Sequence, residues 1–190
     1  MPADTPPSPI VEAGLPGAVP AAPAAVAPRR IHLFWWVSLA VLGLDQVSKA
    51  LVRTHLPEFD SMTVVANLID FTHVENKGVA FGLLNDAPVP FKGAVTSALA
   101  LVALVGIGLY ARHLRRDEWV ARLGLSLIFG GAVGNLIDRL RVGYVVDFVD
   151  VYWRTWHFWA FNAADASITI GAILVFLDLL LVSRHAPDSV

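Results

Sequence analysis

Four long apolar runs dominate the chain, at about residues 31–52, 93–111, 119–137 and 158–182. Each is about long enough to cross a roughly 30 Å hydrocarbon core as a helix. Helices are expected because a spanning segment must satisfy its own backbone hydrogen bonds. The pattern therefore predicts an all-α membrane protein, a bundle of four transmembrane helices. Composition agrees: 56% of the 190 residues are hydrophobic and 16% are charged, too little polar surface for a soluble domain of this size.

The runs are separated by segments of different character. Residues 1–28 are rich in Pro and Ala and nearly free of aromatic side chains. Such a stretch buries too little apolar area to offset its chain entropy and reads as a disordered tail. Its start lacks a basic region, so it does not read as a signal peptide. Residues 29–185 form the membrane domain, and 186–190 a short C-terminal tail. Between the first two spans, the stretch 61–74 is rich in β-branched residues with turn-forming Asn and Asp. It predicts short strands in a small β-rich extracytoplasmic subdomain over about 56–90. The apolar stretch from Gly78 to Leu84 is too short to span and predicts a short interfacial helix.

Charge orients the bundle. Arg29 and Arg30 precede the first span, Arg112, Arg115, Arg116 and Arg122 surround the second connection, and Arg184 follows the fourth. By the positive-inside rule these ends, and hence both termini, are expected in the cytoplasm. Trp35, Trp36, Trp119, Trp153, Trp156 and Trp159 all fall near span ends, as interfacial anchors do. The net charge of −2 gives no support to nucleic-acid binding. The absence of Cys excludes disulfides, thiolate metal sites and cysteine nucleophiles.

The candidate chemistry lies in polar residues at places where lipid makes them costly. Asp45 and Lys49, four apart near the outer end of the first span, share a helix face and can pair, as a structural ion pair or as a substrate contact. Asn76 and Gly78 lie in Asn76-Lys77-Gly78, which alone is an ordinary turn. Asn135, Asp138 and Arg139 end the third span, with a structural Asp138–Arg139 network as the plain alternative. Asp147 sits in an extended stretch, Val142 to Phe148, between Val146 and Phe148, where poor solvation raises a carboxyl pKa. Asn162, Asp165 and Thr169 form one helical stripe at the start of the fourth span, with Asp165 a turn or two inside the apolar region.

Asp147 and Asp165 bracket the connection between the third and fourth spans and can converge at the outer interface. Two carboxylates in one apolar site tend to hold one proton between them. The ionised member can activate a water while the protonated one polarises a peptide carbonyl.

These five clusters, in this order on a four-span frame, resemble the bacterial lipoprotein signal peptidases over about Trp35 to Leu181. The resemblance implies an aspartic endopeptidase, signal peptidase II, of the inner membrane, with its active site near the outer face. It puts the catalytic roles on Asp147 and Asp165, and substrate binding on Asn76, Gly78, Asn135, Arg139 and Asn162. It makes Asp45, Lys49 and Asp138 structural supports. It implies lipid-modified prolipoproteins as substrates, cut before a diacylglyceryl-modified Cys. It also implies contact with membrane lipid, inhibition by globomycin-type cyclic peptides, no metal, no cofactor and a monomeric working unit. Two departures fall on the first outer loop: Glu75 precedes Asn76 where many relatives carry Arg, and Val79 stands where Ala is frequent.

Three other readings use the same residues. A proton-coupled carrier would employ Asp45, Lys49 and Asp165 as a relay, but no polar ladder continues toward the cytoplasm. A presenilin-type protease would need a Gly-x-Gly-Asp motif that is absent here. An assembly factor of the same topology would show no cleavage.

Overall fold

The computed structural model describes residues 31–78, 92–115 and 117–183. Both expected tails, Arg29, Arg30, Arg116, Arg184, Val79 and the remainder of the expected interfacial helix lie outside them. Among the described residues the chain forms, in order, α1 (Ile31–His55), β1 (Ser61–Val65), β2 (Ile69–Asn76), α2 (Lys92–Ala111), α3 (Trp119–Val142), β3 (Val145–Trp153), β4 (Trp156–His157) and α4 (Ala163–Ser183).

Three of the helices are long and apolar enough to cross a membrane, over Gly93–Ala111, Trp119–Val142 and Ala163–Leu181. The fourth expected span, α1, is the longest helix among the described residues at 25 residues, but it carries charge in its C-terminal half. Those charges point inward. Asp45 and Lys49 are fully buried, whereas Leu44, Val47 and Leu51 on other faces are more than half exposed. A helix with polar groups inside and apolar groups outside is inverted relative to a soluble bundle, as lipid contact requires.

Helix α3 is the hub, packed against α1, α2 and α4. Its small residues set how closely it is approached. A Cβ on Gly131 would press on the Ala164 carbonyl oxygen and on Ile168 of α4, and one on Gly124 would meet Gly171 and Val175. On the next face, a Cβ on Gly130 would strike the backbone of Ser38 in α1. Backbones this close are the membrane form of tight helix packing. Gly131→Val should therefore separate α3 from α4 and destabilise the fold by about 1–3 kcal/mol. Thermal unfolding in detergent micelles reads this as a lowered midpoint. Gly106→Ala, where the added carbon has open space, should show no loss.

The connections between α1 and α2 and between α3 and α4 build one antiparallel sheet in the order β1-β2-β3-β4. The first loop supplies a hairpin, turned at Asn67 in the left-handed region (φ 61°). The sheet is larger than expected, because the connection between α3 and α4 adds β3 and β4. Val142 is the last helical residue rather than the first extended one. Gly143 (φ 84°) ends α3, its N–H donating to the Arg139 carbonyl at 3.1 Å, so the strand begins only at Val145. The fourth helix also starts later than expected, at Ala163 rather than Phe158. The backbone of Phe161 instead bonds to Phe148 and Val149 of β3, and Asn162 caps the helix. Asp165 consequently lies in the first turn of α4, not one or two turns inside it.

Trp35, Trp36 and Trp119 lie toward one end of the bundle, and Trp153, Trp156 and Trp159 toward the other. All six are substantially exposed, as two interfacial belts would be.

Candidate active site

Strand β3 carries Asp147 into the junction of sheet and bundle. It pairs with β2 so that Val74 faces Asp147 and Asn76 faces Val145, and both α1 and α3 pack on it. Residues Val145 to Phe148 are consequently buried on both strand faces, and Asp147 is only 3% exposed. Its two oxygens accept from two amides: Asn76 Nδ2 to Oδ2 at 2.9 Å and Asn162 Nδ2 to Oδ1 at 2.6 Å. Burial, reinforced by the charge of Asp165 and opposed by those two amides, pushes the Asp147 carboxyl up to about 7.

Asp165 reaches the same point from α4 through a reciprocal cap. Asn162 Oδ1 accepts from the Asp165 N–H at 2.9 Å, while the Asn162 N–H lies 3.4 Å from Asp165 Oδ2. This is a capping box with Asx residues in both roles. The cap also joins the two acids, because the Asn162 amide that donates to Asp147 belongs to the side chain that orients Asp165. A third amide, Asn135 Nδ2 on α3, donates to Asp165 Oδ1 at 2.8 Å.

Behind Asn135 lies a buried charge cluster. Lys49 Nζ donates to Asn135 Oδ1 at 2.7 Å and to Asp45 Oδ2 at 2.9 Å, and it pairs with Asp138 Oδ2 at 2.8 Å. Asp138 turns toward α1, where Arg53 also meets it at 3.1 Å. It does not pair with Arg139, since successive helical residues face different ways. Asp45 in turn accepts from the Ala164 N–H at 3.0 Å, capping α4 from another helix.

Arg139 is left to reach across the site. Its guanidinium donates to the carbonyls of Asn135 and Gly78, both at 3.3 Å. The Gly78 N–H closes an Asx turn onto Asn76 Oδ1 at 2.9 Å, so one arginine ties the segment just after β2 to α3. Glu75, in the position where Arg was noted as common, instead pairs with Lys77 at 3.4 Å.

All ten residues singled out from the sequence thus join one connected network. Two participants were missed. Gln46 donates to Asp45 and to the Gly134 carbonyl, and Arg53 holds Asp138. Arg53 continues the Asp45–Lys49 spacing by one more turn, a signal available in the sequence. Asn76, Asn135, Arg139 and Asp165 line a cavity of about 180 Å³ together with the apolar Ala100, Ala132, Val145 and Ile168. Of the two carboxyls, that of Asp165 lines this space, and Asp147 is hydrogen-bonded to another lining residue, Asn76.

Fold and site together define a multi-pass membrane protein in which two carboxyl groups, one on a strand and one on a helix N-terminus, are joined through a single Asn side chain. Residues 37–181 match the family model for signal peptidase (SPase) II. The lipoprotein signal peptidase of Geobacter metallireducens is 47% identical over 156 residues, covering 81% of this chain and 94% of that protein. The lipoprotein signal peptidase of Pseudomonas aeruginosa is 37% identical, covering 76% of this chain and 85% of its own. A solved bacterial membrane enzyme superposes with a TM-score of 0.75 at 30% identity, covering 85% of this chain and 96% of that one. The chain belongs to the signal peptidase II family, and it is accordingly a multi-pass inner-membrane hydrolase.

Proposed function

We propose that this enzyme removes signal peptides from diacylglyceryl-modified prolipoproteins, cutting before the lipidated Cys with Asp147 and Asp165 as its catalytic pair. The observation that carries the reading is Asn162, one side chain that hydrogen-bonds Asp147 and caps Asp165. In this scheme the pair shares one proton, because two carboxyls in one apolar site do not both ionise easily, and Asp147 is written as its holder. A water then gives a proton to Asp165 as its oxygen adds to the scissile carbonyl, and Asp147 protonates the developing oxyanion. As the resulting diol collapses and the C–N bond breaks, Asp165 passes its proton to the leaving nitrogen. Asp147 recovers a proton from the diol hydroxyl. No covalent intermediate forms.

Asn76, Asn135 and Asn162 offer amide groups to the peptide, Gly78 its backbone, and Arg139 a cation. Asp45, Lys49 and Asp138 support the site from within the bundle. In this reading α1 also spans the membrane, its charges neutralised internally. Both termini lie in the cytoplasm and the catalytic pair sits near the outer face, as the distribution of Lys and Arg implies. The enzyme works as a monomer and is blocked by globomycin-type cyclic peptides.

Purified protein in detergent, given a precursor with and without the diacylglyceryl group, should cleave only the modified form, and globomycin should stop it. Equal cleavage of both forms, or of neither, would remove the substrate assignment.

A further inference from the structure

A groove of about 370 Å³ lies between the C-terminal part of α1 and the sheet. One face of α1 supplies Ser48, Leu51, Val52 and His55, and the sheet supplies Met62, Phe71 and Phe148. Met62 and Phe71 are partners across β1 and β2, and Phe71 meets Phe148 edge to face with ring centres 6.2 Å apart. The two polar lining residues are engaged with the helix backbone. Ser48 Oγ donates to the Asp45 carbonyl at 2.9 Å, and His55 Nδ1 bonds the Leu51 carbonyl at 2.9 Å. Apart from the other ring nitrogen of His55, the groove therefore presents hydrocarbon. Neither Asp147 nor Asp165 lines it. Yet Phe148 follows Asp147 directly, so a single strand separates this groove from the catalytic pair.

We propose that this groove seats one acyl chain of a resident phospholipid from the bilayer, and that the seated chain backs the catalytic strand. The inference takes α1 as a span, as proposed above. Leu51 then belongs to the stripe that α1 turns toward lipid, with Leu44 and Val47, all three more than half exposed. The groove is thus continuous with the hydrocarbon-facing side of the helix. Met62 on its opposite wall is also more than half exposed, so a chain can enter between them. An extended peptide is a poor occupant, because its backbone groups would find no partners along these walls. A helix is too wide, at about 10–12 Å across with its side chains. Left empty, the groove would deprive the Phe71 and Phe148 rings of contact on one side. A hydrocarbon chain restores that contact and holds β3 from behind. The position of β3 sets Asp147 against Asn76 and Asn162, and a shift of about 1 Å in such a group can cost about 100-fold in rate.

The seat is tested without substrate, so its outcome is independent of what the enzyme cleaves. Delipidated protein in detergent is titrated with dioleoyl phosphatidylglycerol, and bound lipid is counted by native mass spectrometry. The wild type should retain one lipid per chain. Leu51→Trp and Met62→Trp fill the groove from opposite walls, at exposed positions that tolerate bulk. Each should weaken retention by about tenfold or more, the scale on which an apolar pocket discriminates by size. Leu44→Trp, on the same stripe two turns away and outside the groove, should bind like wild type. The dihexanoyl analogue, with the same headgroup and short chains, should not be retained. Undiminished retention in both groove variants, or equal retention of the short-chain analogue, overturns the seat. The coupling is read from cleavage of a lipidated precursor. Adding the dioleoyl lipid should raise kcat of the wild type by about fivefold or more through the placement of Asp147, with KM little changed. Leu51→Trp, whose indole stands in for the chain, should not respond. A wild-type kcat indifferent to the lipid, or a response of equal size in Leu51→Trp, overturns the link to the catalytic strand.

Discussion

Asp165→Asn should lower processing of a lipidated precursor by about three orders of magnitude or more, the span that positioned acid–base groups supply. The substitution is well matched to its surroundings. The new amide can keep its oxygen toward Asn135 Nδ2 and turn its nitrogen to the side where the Asn162 N–H is already a long 3.4 Å away. The helix cap survives, because it depends on the Asp165 backbone N–H and the Asn162 side chain. Asp147→Asn should be equally inactive but less benign. Both amides that face Asp147 are pinned, Asn76 by the Gly78 N–H and Asn162 by the Asp165 N–H. An amide at 147 must therefore point its nitrogen at another donor. The two variants should share the loss of activity and differ in thermal stability, Asp147→Asn unfolding at the lower temperature. Wild-type-like cleavage by either removes the paired-acid mechanism. A pH profile supplies an independent reading. The Asp147 carboxyl is raised to about 7, so its proton is present below that pH and lost above it. If Asp147 is the acid, kcat/KM should fall as pH rises through about 7.

The helices could be read from the chain because membrane spans announce themselves by length and apolarity alone, and four of four are helical near the expected bounds. What went astray lay at their ends. The run from Phe158 is as apolar as the helix that follows it, so hydropathy cannot tell an interfacial extended segment from a first turn. The Asn162–Asp165 spacing, a capping signal, could have placed the start. The extent of the sheet was hidden for a different reason. β3 and β2 are separated by two helices in sequence, and a strand buried on both faces at Val145–Phe148 shows no alternation. The candidate site residues were identified as weak motifs whose order carried the resemblance. Apart from the Asp45–Lys49 pair, which the spacing of four gives, their connections were not visible, because Asp138 meeting Lys49 rather than Arg139 depends on how α1 rotates against α3. The glycines at 130 and 134 allow that approach, and they read in sequence only as small residues.

That rotation makes Lys49 the second position at which a single change should be severe. Its ammonium is fully buried with three oxygens within 2.9 Å, from Asp45, Asp138 and Asn135. Together with Arg53 the cluster balances two cations against two carboxylates. Lys49→Met keeps most of the volume but leaves two buried acids facing one cation, and breaking a buried pair in this way costs about 3–5 kcal/mol. The damage should extend to the reaction. Lys49 fixes the Asn135 side chain with its oxygen inward, which is what turns the Asn135 amide toward Asp165. Without it that amide is free to reverse and present a carbonyl oxygen to a carboxylate. Lys49→Met should therefore lower both the unfolding midpoint in detergent and the turnover of whatever remains folded. Lys49→Met with Asp138→Asn removes the excess negative charge and should recover part of the stability while leaving turnover low, since Asn135 still lacks its partner. Equal stability of the single and double variants would mean that Lys49 matters by filling space, and recovery of full turnover would detach Asn135 from the positioning of Asp165.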